Sequence, residues 1–155
     1  MIERIQLGLH ESQSLDGSIG YRVYTQSTTL HLGLEKPLLG WGTGAFQTVF
    51  AEYADKKFMK IAGAWHPHNQ YIFFFFENGI IALSLFIALI FSITHLAKRQ
   101  DDFHPSIIYC FAATLTINSF FNCSLWSGRE SHFFIIALAL LASSYQPQKT
   151  SSLIK

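Results

Sequence analysis

Apolar and polar positions divide the chain into two unlike parts. Residues 1–17 are polar, carry no sustained period, and end on the turn pair Asp16-Gly17. From Ser18 a helix is expected. Ser18 can cap it, and Ile19, Val23, Leu30 and Leu34 fall along one face. Pro37 ends it, because the residue before a proline avoids the helical region. The run Lys36-Pro-Leu-Leu-Gly-Trp-Gly-Thr-Gly-Ala-Phe46 then reads as a glycine-rich turn joining two helices. A second amphipathic helix follows, with Phe46, Val49, Phe50, Tyr53 and Phe58 on one side and Asp55, Lys56 and Lys57 toward its end.

After His66-Pro-His-Asn-Gln70 the pattern becomes apolar almost throughout. Residues 71–96 are long enough to cross a bilayer, which takes roughly 20 apolar residues, and they stop at Lys98-Arg99. Residues 106–121 form a second, more polar candidate. Residues 131–145 form a third, short by that measure, which spans only with help from tilted partners or flanking residues. The expected fold is all-α: a multi-pass helical membrane protein with about three C-terminal transmembrane helices after a region of short amphipathic helices. Its parts are residues 1–67 outside the membrane, a membrane region 68–145 with spans near 69–97, 105–122 and 131–145, and a tail 146–155. The positive-inside rule puts Lys98, Arg99 and the tail, with Lys149 and Lys155, in the cytoplasm. Residues 1–67 and the loop 122–129 then share the external face. Nothing ahead of residues 1–67 could carry them across, so the chain is expected to be the C-terminal piece of a longer multi-spanning protein, with a rare unassisted translocation of the N-terminal tail as the alternative.

Composition supports the membrane reading. Of 155 residues, 50% are hydrophobic and 14% charged, against about 25% charged in a soluble domain. The net charge of +1 implies no polyanion-binding surface, so nucleic acid is not an expected partner. Cys110 and Cys123 show no ligand spacing and read as small hydrophobes.

His68 is expected in the first turn of the long apolar helix, because Pro67 suits the first helical position. The helix dipole would keep such an imidazole neutral, and a neutral histidine is a competent base near pH 7. Free N–H groups at the same helix end favour an anion such as phosphate. The plainer alternative is an interfacial histidine with no chemistry. His66 and His68 alone make no zinc site, which needs three or four ligands, so no metal is expected. Glu77 and Asn78 sit inside the apolar run, and an ionisable residue there points to function unless a neighbouring helix pairs it. Arg22 is a lone charge in a neutral helix and suits bidentate phosphate recognition, or is simply solvated. Arg129 precedes the third apolar segment, where it could equally snorkel to the interface. Gly40, Gly42 and Gly44 are spaced G-x-G-x-G with no preceding strand, so they make no dinucleotide fingerprint. Residues 73–76, all phenylalanine, and Trp65 read as lipid-facing bulk and an interfacial anchor.

In order along the chain, Ser18-Ile-Gly-Tyr-Arg22, the Lys36–Phe46 glycine run, His66-Pro-His-Asn-Gln70 and Glu77-Asn-Gly-Ile-Ile-Ala82 resemble the O-antigen ligase superfamily. That superfamily includes lipopolysaccharide O-antigen ligases, polysaccharide polymerases and protein O-oligosaccharyltransferases. The resemblance is good over residues 18–97 and looser over 105–145. It departs at Ala82, where the family more often has glycine, and in the many earlier spans of family members. It implies a multi-pass protein of the bacterial inner membrane with residues 1–67 periplasmic. The implied activity moves a glycan en bloc from an undecaprenyl-diphosphate carrier to lipid A core, a glycan or a protein, usually without a metal or other cofactor. His68 would be the base for the acceptor hydroxyl or an orienting group. Arg22 would meet the donor diphosphate. Asn69, Glu77 and Arg129 would be further substrate contacts. Ligase activity toward lipid A core is the first expectation, with polymerase or protein O-oligosaccharyltransferase activity as alternatives. A truncated, inactive membrane remnant is the reading from a different class.

Overall fold

A computed structural model of the chain describes residues 18–53, 65–98 and 104–143. They form five helices and no strand: α1 (Ser18–Glu35), α2 (Phe46–Tyr53), α3 (Gln70–Ala97), α4 (His104–Phe121) and α5 (Gly128–Ser143). The expectations for residues 1–17, the Ser18 side chain, residues 55–58, Arg99 and the tail 146–155 lie outside the described residues. Contacts divide the chain into two units. The first holds residues up to Leu85 together with Ser119–Cys123, and the second holds the rest.

In the first unit, α1 ends where Pro37 requires, one residue before Lys36, whose N–H bonds the Gly33 carbonyl at 3.1 Å. Ile19, Val23, Leu30 and Leu34 do share a face of α1, and that face is exposed. The buried face carries Tyr24, Thr25, Thr29 and Leu32. Both threonines remain buried because their hydroxyls donate to carbonyls one turn back, Thr25 to Tyr21 at 2.7 Å and Thr29 to Thr25 at 2.6 Å. The core joins Tyr24, Leu32, Phe46, Phe50, Phe73, Phe76 and Cys123, with Trp41, Val49 and Phe74 packed on it. Phe46 is the hub: its ring centroid lies 5.9 Å from Phe73 and 5.7 Å from Phe76, both edge-on, the geometry aromatic quadrupoles prefer.

Two expectations need correction. Phe73 and Phe76 are buried core residues, not lipid-facing bulk. The long apolar run is also not one uninterrupted helix. Within α3, Asn78 (φ −130°, ψ 15°) and Gly79 (φ 68°, ψ −162°) leave helical geometry. The break is filled by the glycine-rich loop. In a continuous helix the Ile80 N–H would bond the Phe76 carbonyl. Here Ile80 donates to Pro37 O at 2.8 Å, while Phe76 O accepts from Trp41 N–H at 2.9 Å. Glu77 O accepts from Gly42 N–H at 2.8 Å. The approach is close enough that a Cβ on Gly79 would run into the Leu38 carbonyl, and one on Gly40 into the Glu77–Asn78 peptide. The loop is fixed from the other side as well: the Trp41 indole N–H donates to Leu32 O at 2.7 Å, and Lys36 Nζ sits 3.8 Å over the Trp41 ring.

In the second unit the later part of α3, α4 and α5 bury Phe86, Ile93, Ile108, Leu115 and Phe134 and leave most other apolar side chains exposed. Among the described residues, α3 is the one helix long and apolar enough to cross a membrane. Only 17% of its most apolar window is buried, unlike the core helix of a soluble protein. Pro105–Phe121 is apolar but shorter. Cys123 is buried in the first core, Cys110 is exposed, and neither is in a disulfide.

Candidate active site

His68 does not open α3. It lies two residues ahead of Gln70 in a left-handed conformation, φ 55°, which is uncommon for a residue with a side chain. Three contacts hold that backbone. The His68 N–H donates to His66 Nδ1 at 3.2 Å. The two imidazoles meet edge to face, with centroids 4.4 Å apart. The His68 carbonyl accepts from Gln26 Nε2 at 3.2 Å. Asn69 is the residue that caps α3: its Oδ1 accepts from Ile72 N–H at 3.1 Å and its carbonyl from Phe73 N–H at 3.0 Å. The remaining arm of Asn69 reaches across to the Phe120 carbonyl at 3.3 Å, where Tyr71 also packs on Phe120 at 4.7 Å. Part of the helix-end anion seat expected from sequence is therefore taken by the chain's own cap.

Arg22 and Gln26 stand one turn apart on α1 and both act on His68. Burial pushes the His68 pKa below its ordinary 6.5, and the nearby Arg22 charge pushes it further the same way. The helix dipole was the cause expected from sequence; desolvation and Arg22 are the causes found. The outcome is a half-buried imidazole that is neutral at pH 7, beside an exposed guanidinium that no described carboxylate pairs with. The pair offers a proton acceptor next to a seat for an anion.

Glu77 bonds a different part of the chain. Its Oε1 accepts from Gly44 N–H at 2.9 Å, and the carboxylate also takes the backbone N–H of Phe46, the first residue of α2. It caps α2 from another helix by accepting from backbone N–H groups at that helix's start. Asn78 Nδ2 donates to Thr43 Oγ1 at 2.9 Å and ties the same loop. Arg129 belongs to the second unit, exposed in the first turn of α5. Among the described residues no group of three or more His, Cys, Asp or Glu side chains could hold a metal. Gln26 was missed by sequence reasoning, and its signal was only its position four residues after Arg22, on the same side of the helix.

The family model described as O-antigen ligase matches residues 2–87, more than half of the chain, and leaves out Phe120 and Arg129 of the residues just described. The chain belongs to the O-antigen ligase family. No curated protein and no solved structure matches it. Membership makes the chain one of a family of ligase- and polymerase-like glycosyltransferases of the bacterial inner membrane, which work on lipid-linked glycan donors and membrane acceptors. The match covers Arg22, the glycine-rich loop, His68, Asn69 and the Glu77–Gly79 break, and ends at Ile87 within α3.

Proposed function

We propose that this chain carries the donor-handling end of an O-antigen ligase-type transferase at the periplasmic face of the inner membrane. The donor is a glycan on undecaprenyl diphosphate and the acceptor a hydroxyl of lipid A core. The observation that carries the reading is a His68 kept neutral beside an exposed Arg22. In the step itself, His68 removes the proton of the acceptor hydroxyl as that oxygen attacks the anomeric carbon of the donor. The bond from that carbon to the diphosphate breaks, and the undecaprenyl diphosphate leaves with its electron pair and negative charge against Arg22. An anion seated on Arg22 offsets the positive charge that depresses His68, so donor binding raises the proton affinity of the base when it is needed.

Asn69 acts in this reading by fixing the His68 backbone at the head of α3, and Glu77 by holding the loop and the break. Arg129 is proposed separately as a phosphate contact, on its exposed place in α5. The membrane topology of the reading is α3, α4 and α5 as three spans, with Lys98 cytoplasmic. Replacing His68 with Ala in the intact gene product should abolish glycan transfer while membrane insertion is retained. Transfer at the parental rate would remove His68 from the chemistry. Supplying lipid A core, free glycan or a pilin-like protein as acceptor separates ligase, polymerase and protein oligosaccharyltransferase activity.

A further inference from the structure

Helix α1 is apolar on two opposite sides. One side packs into the aromatic core. The other, with Ile19, Val23, Leu30 and Leu34, spans about 60° of arc at 3.6 residues per turn and is exposed. The turn after the helix adds Leu38, 69% exposed, and Leu39, 73% exposed. Gln26 and Ser27 separate Ile19 and Val23 from Leu30 and Leu34 on this face, so the bare apolar side chains gather at its loop end, with Leu30, Leu34, Leu38 and Leu39, as at a binding surface.

The hydrogen bonds at the break say what covers it. Pro37 O is bonded to Ile80 N–H, and the Leu38 carbonyl lies against Gly79, so residues 37–39 are fixed at the level of the break. All 28 residues of α3 would rise about 42 Å, more than the roughly 30 Å of a hydrocarbon core. Residues 80–97 alone rise about 27 Å, which fits. That segment holds no Asp, Glu, Lys or Arg, and it is bounded by Glu77 and Asn78 on one side and Lys98 on the other. One polar limit of the span, at Glu77 and Asn78, therefore coincides with the break. Non-helical backbone is tolerated at such a depth only where protein satisfies it, and the loop does that. Helix α1 runs in the same direction as the start of α3: Gln26 touches residue 68 and Gly33 meets Phe75. Depth therefore increases along α1 from Ile19 to Leu34.

We infer that Leu38 and Leu39, with Leu34 at the end of α1, form a membrane anchor seated in the acyl–headgroup boundary beside the break of α3. The bilayer is the occupant of this surface. The anchor holds the loop end of α1 at fixed depth, and through α1 it sets the height of Arg22 and His68 above the lipid, where a lipid-linked diphosphate sits. It rests on α3 crossing the bilayer.

The test is a nitroxide depth scan of the intact gene product in phosphatidylethanolamine–phosphatidylglycerol vesicles. The exposed Cys110 is replaced by Ser, and the buried Cys123 is left in place. Single cysteines replace Ile19, Leu30, Leu34 or Leu39, with Phe91 as the reporter of the span. Collisions with oxygen and with a water-soluble nickel chelate are compared at each site. The anchor requires oxygen to dominate several-fold at Leu39, with the ratio falling stepwise through Leu34 and Leu30 to Ile19. Leu39 dominated by nickel, or shielded from both reagents by protein, overturns the anchor while Phe91 in lipid leaves the span standing. Nickel-dominated collisions at both Leu39 and Phe91 overturn the span together with the anchor. A Leu38→Ser, Leu39→Ser double variant should shift the Leu34 label toward nickel; an unchanged ratio there also counts against anchoring.

Discussion

The docking of the glycine-rich loop into the break of α3 can be tested by two alanines. Gly42 and Gly79 both have positive φ, 104° and 68°, so alanine strains the backbone at either place. They differ in space: nothing lies within 4 Å of a Cβ built on Gly42, whereas one on Gly79 meets the Leu38 carbonyl. Gly42→Ala should cost about 1–2 kcal/mol, the backbone term alone. Gly79→Ala carries a backbone term of about 1–3 kcal/mol. Its Cβ must also push the loop away, which puts three hydrogen bonds at risk, Ile80 to Pro37, Trp41 to Phe76 and Gly42 to Glu77. At about 0.5–1.5 kcal/mol each, losing two or three of them adds about 1–4.5 kcal/mol. For a chain of this size that difference is on the order of 10 °C in apparent Tm. Thermal inactivation of detergent-purified protein, followed by monodispersity after heating, reads it. Equal losses in the two variants would refute the docking argument, because only the Cβ added at Gly79 strikes backbone across the contact between loop and break.

Removing the Arg22 charge should raise the His68 pKa, so in Arg22→Gln the acid limb of the transfer–pH profile moves to higher pH; an unmoved limb would separate Arg22 from His68. The same depression makes stability pH-dependent: it is full above the ordinary 6.5 and falls as pH drops from there toward the lower folded value, because the unfolded chain takes up the proton first. Arg22→Gln should flatten that slope in thermal melts across the window. Gln26→Leu deletes the donor to the His68 carbonyl and should cost about 1 kcal/mol of stability together with a loss of transfer rate, whereas Gln26→Asn restores neither because it is one methylene short; full activity of Gln26→Leu would show the bond is dispensable. Glu77→Gln keeps an acceptor for Gly44 and should be milder than Glu77→Leu, which leaves two backbone N–H groups unmet at about 1–3 kcal/mol each; identical melts for the two would argue against the capping role.

Where local chemistry decides, the sequence was readable. Pro37 stops α1, and the helices of residues 18–35 and 46–53 follow from their periods. Where distant backbone decides, it was not. Residues 71–96 look like one span because hydropathy counts side chains, and the break at Gly79 is made by the peptide groups of residues 37–42. Four consecutive phenylalanines carry no amphipathic period, so nothing marked Phe73 and Phe76 as core. Asn69 is a good cap by residue type, while its place as a substrate contact comes from the family resemblance. Arg22 and His68 lie 46 positions apart; family resemblance gave each a role, and only the fold brings them together, since no spacing rule connects them.

The exchange of partners at the break has a bearing on how the protein is made. Residues 37–42 leave the ribosome well before residues 76–80. When α3 first forms, its Phe76 carbonyl and Ile80 amide can satisfy each other, so a straight helix can enter the lipid with no polar group bare. The loop then takes over both partners and adds the Glu77 carbonyl, so the kink is earned by assembly rather than written into α3 alone. Where α3 forms first, maturation of this region is a late swap of hydrogen bonds, and a chain arrested before it is inserted and helical, with its glycine loop not yet bonded to the break.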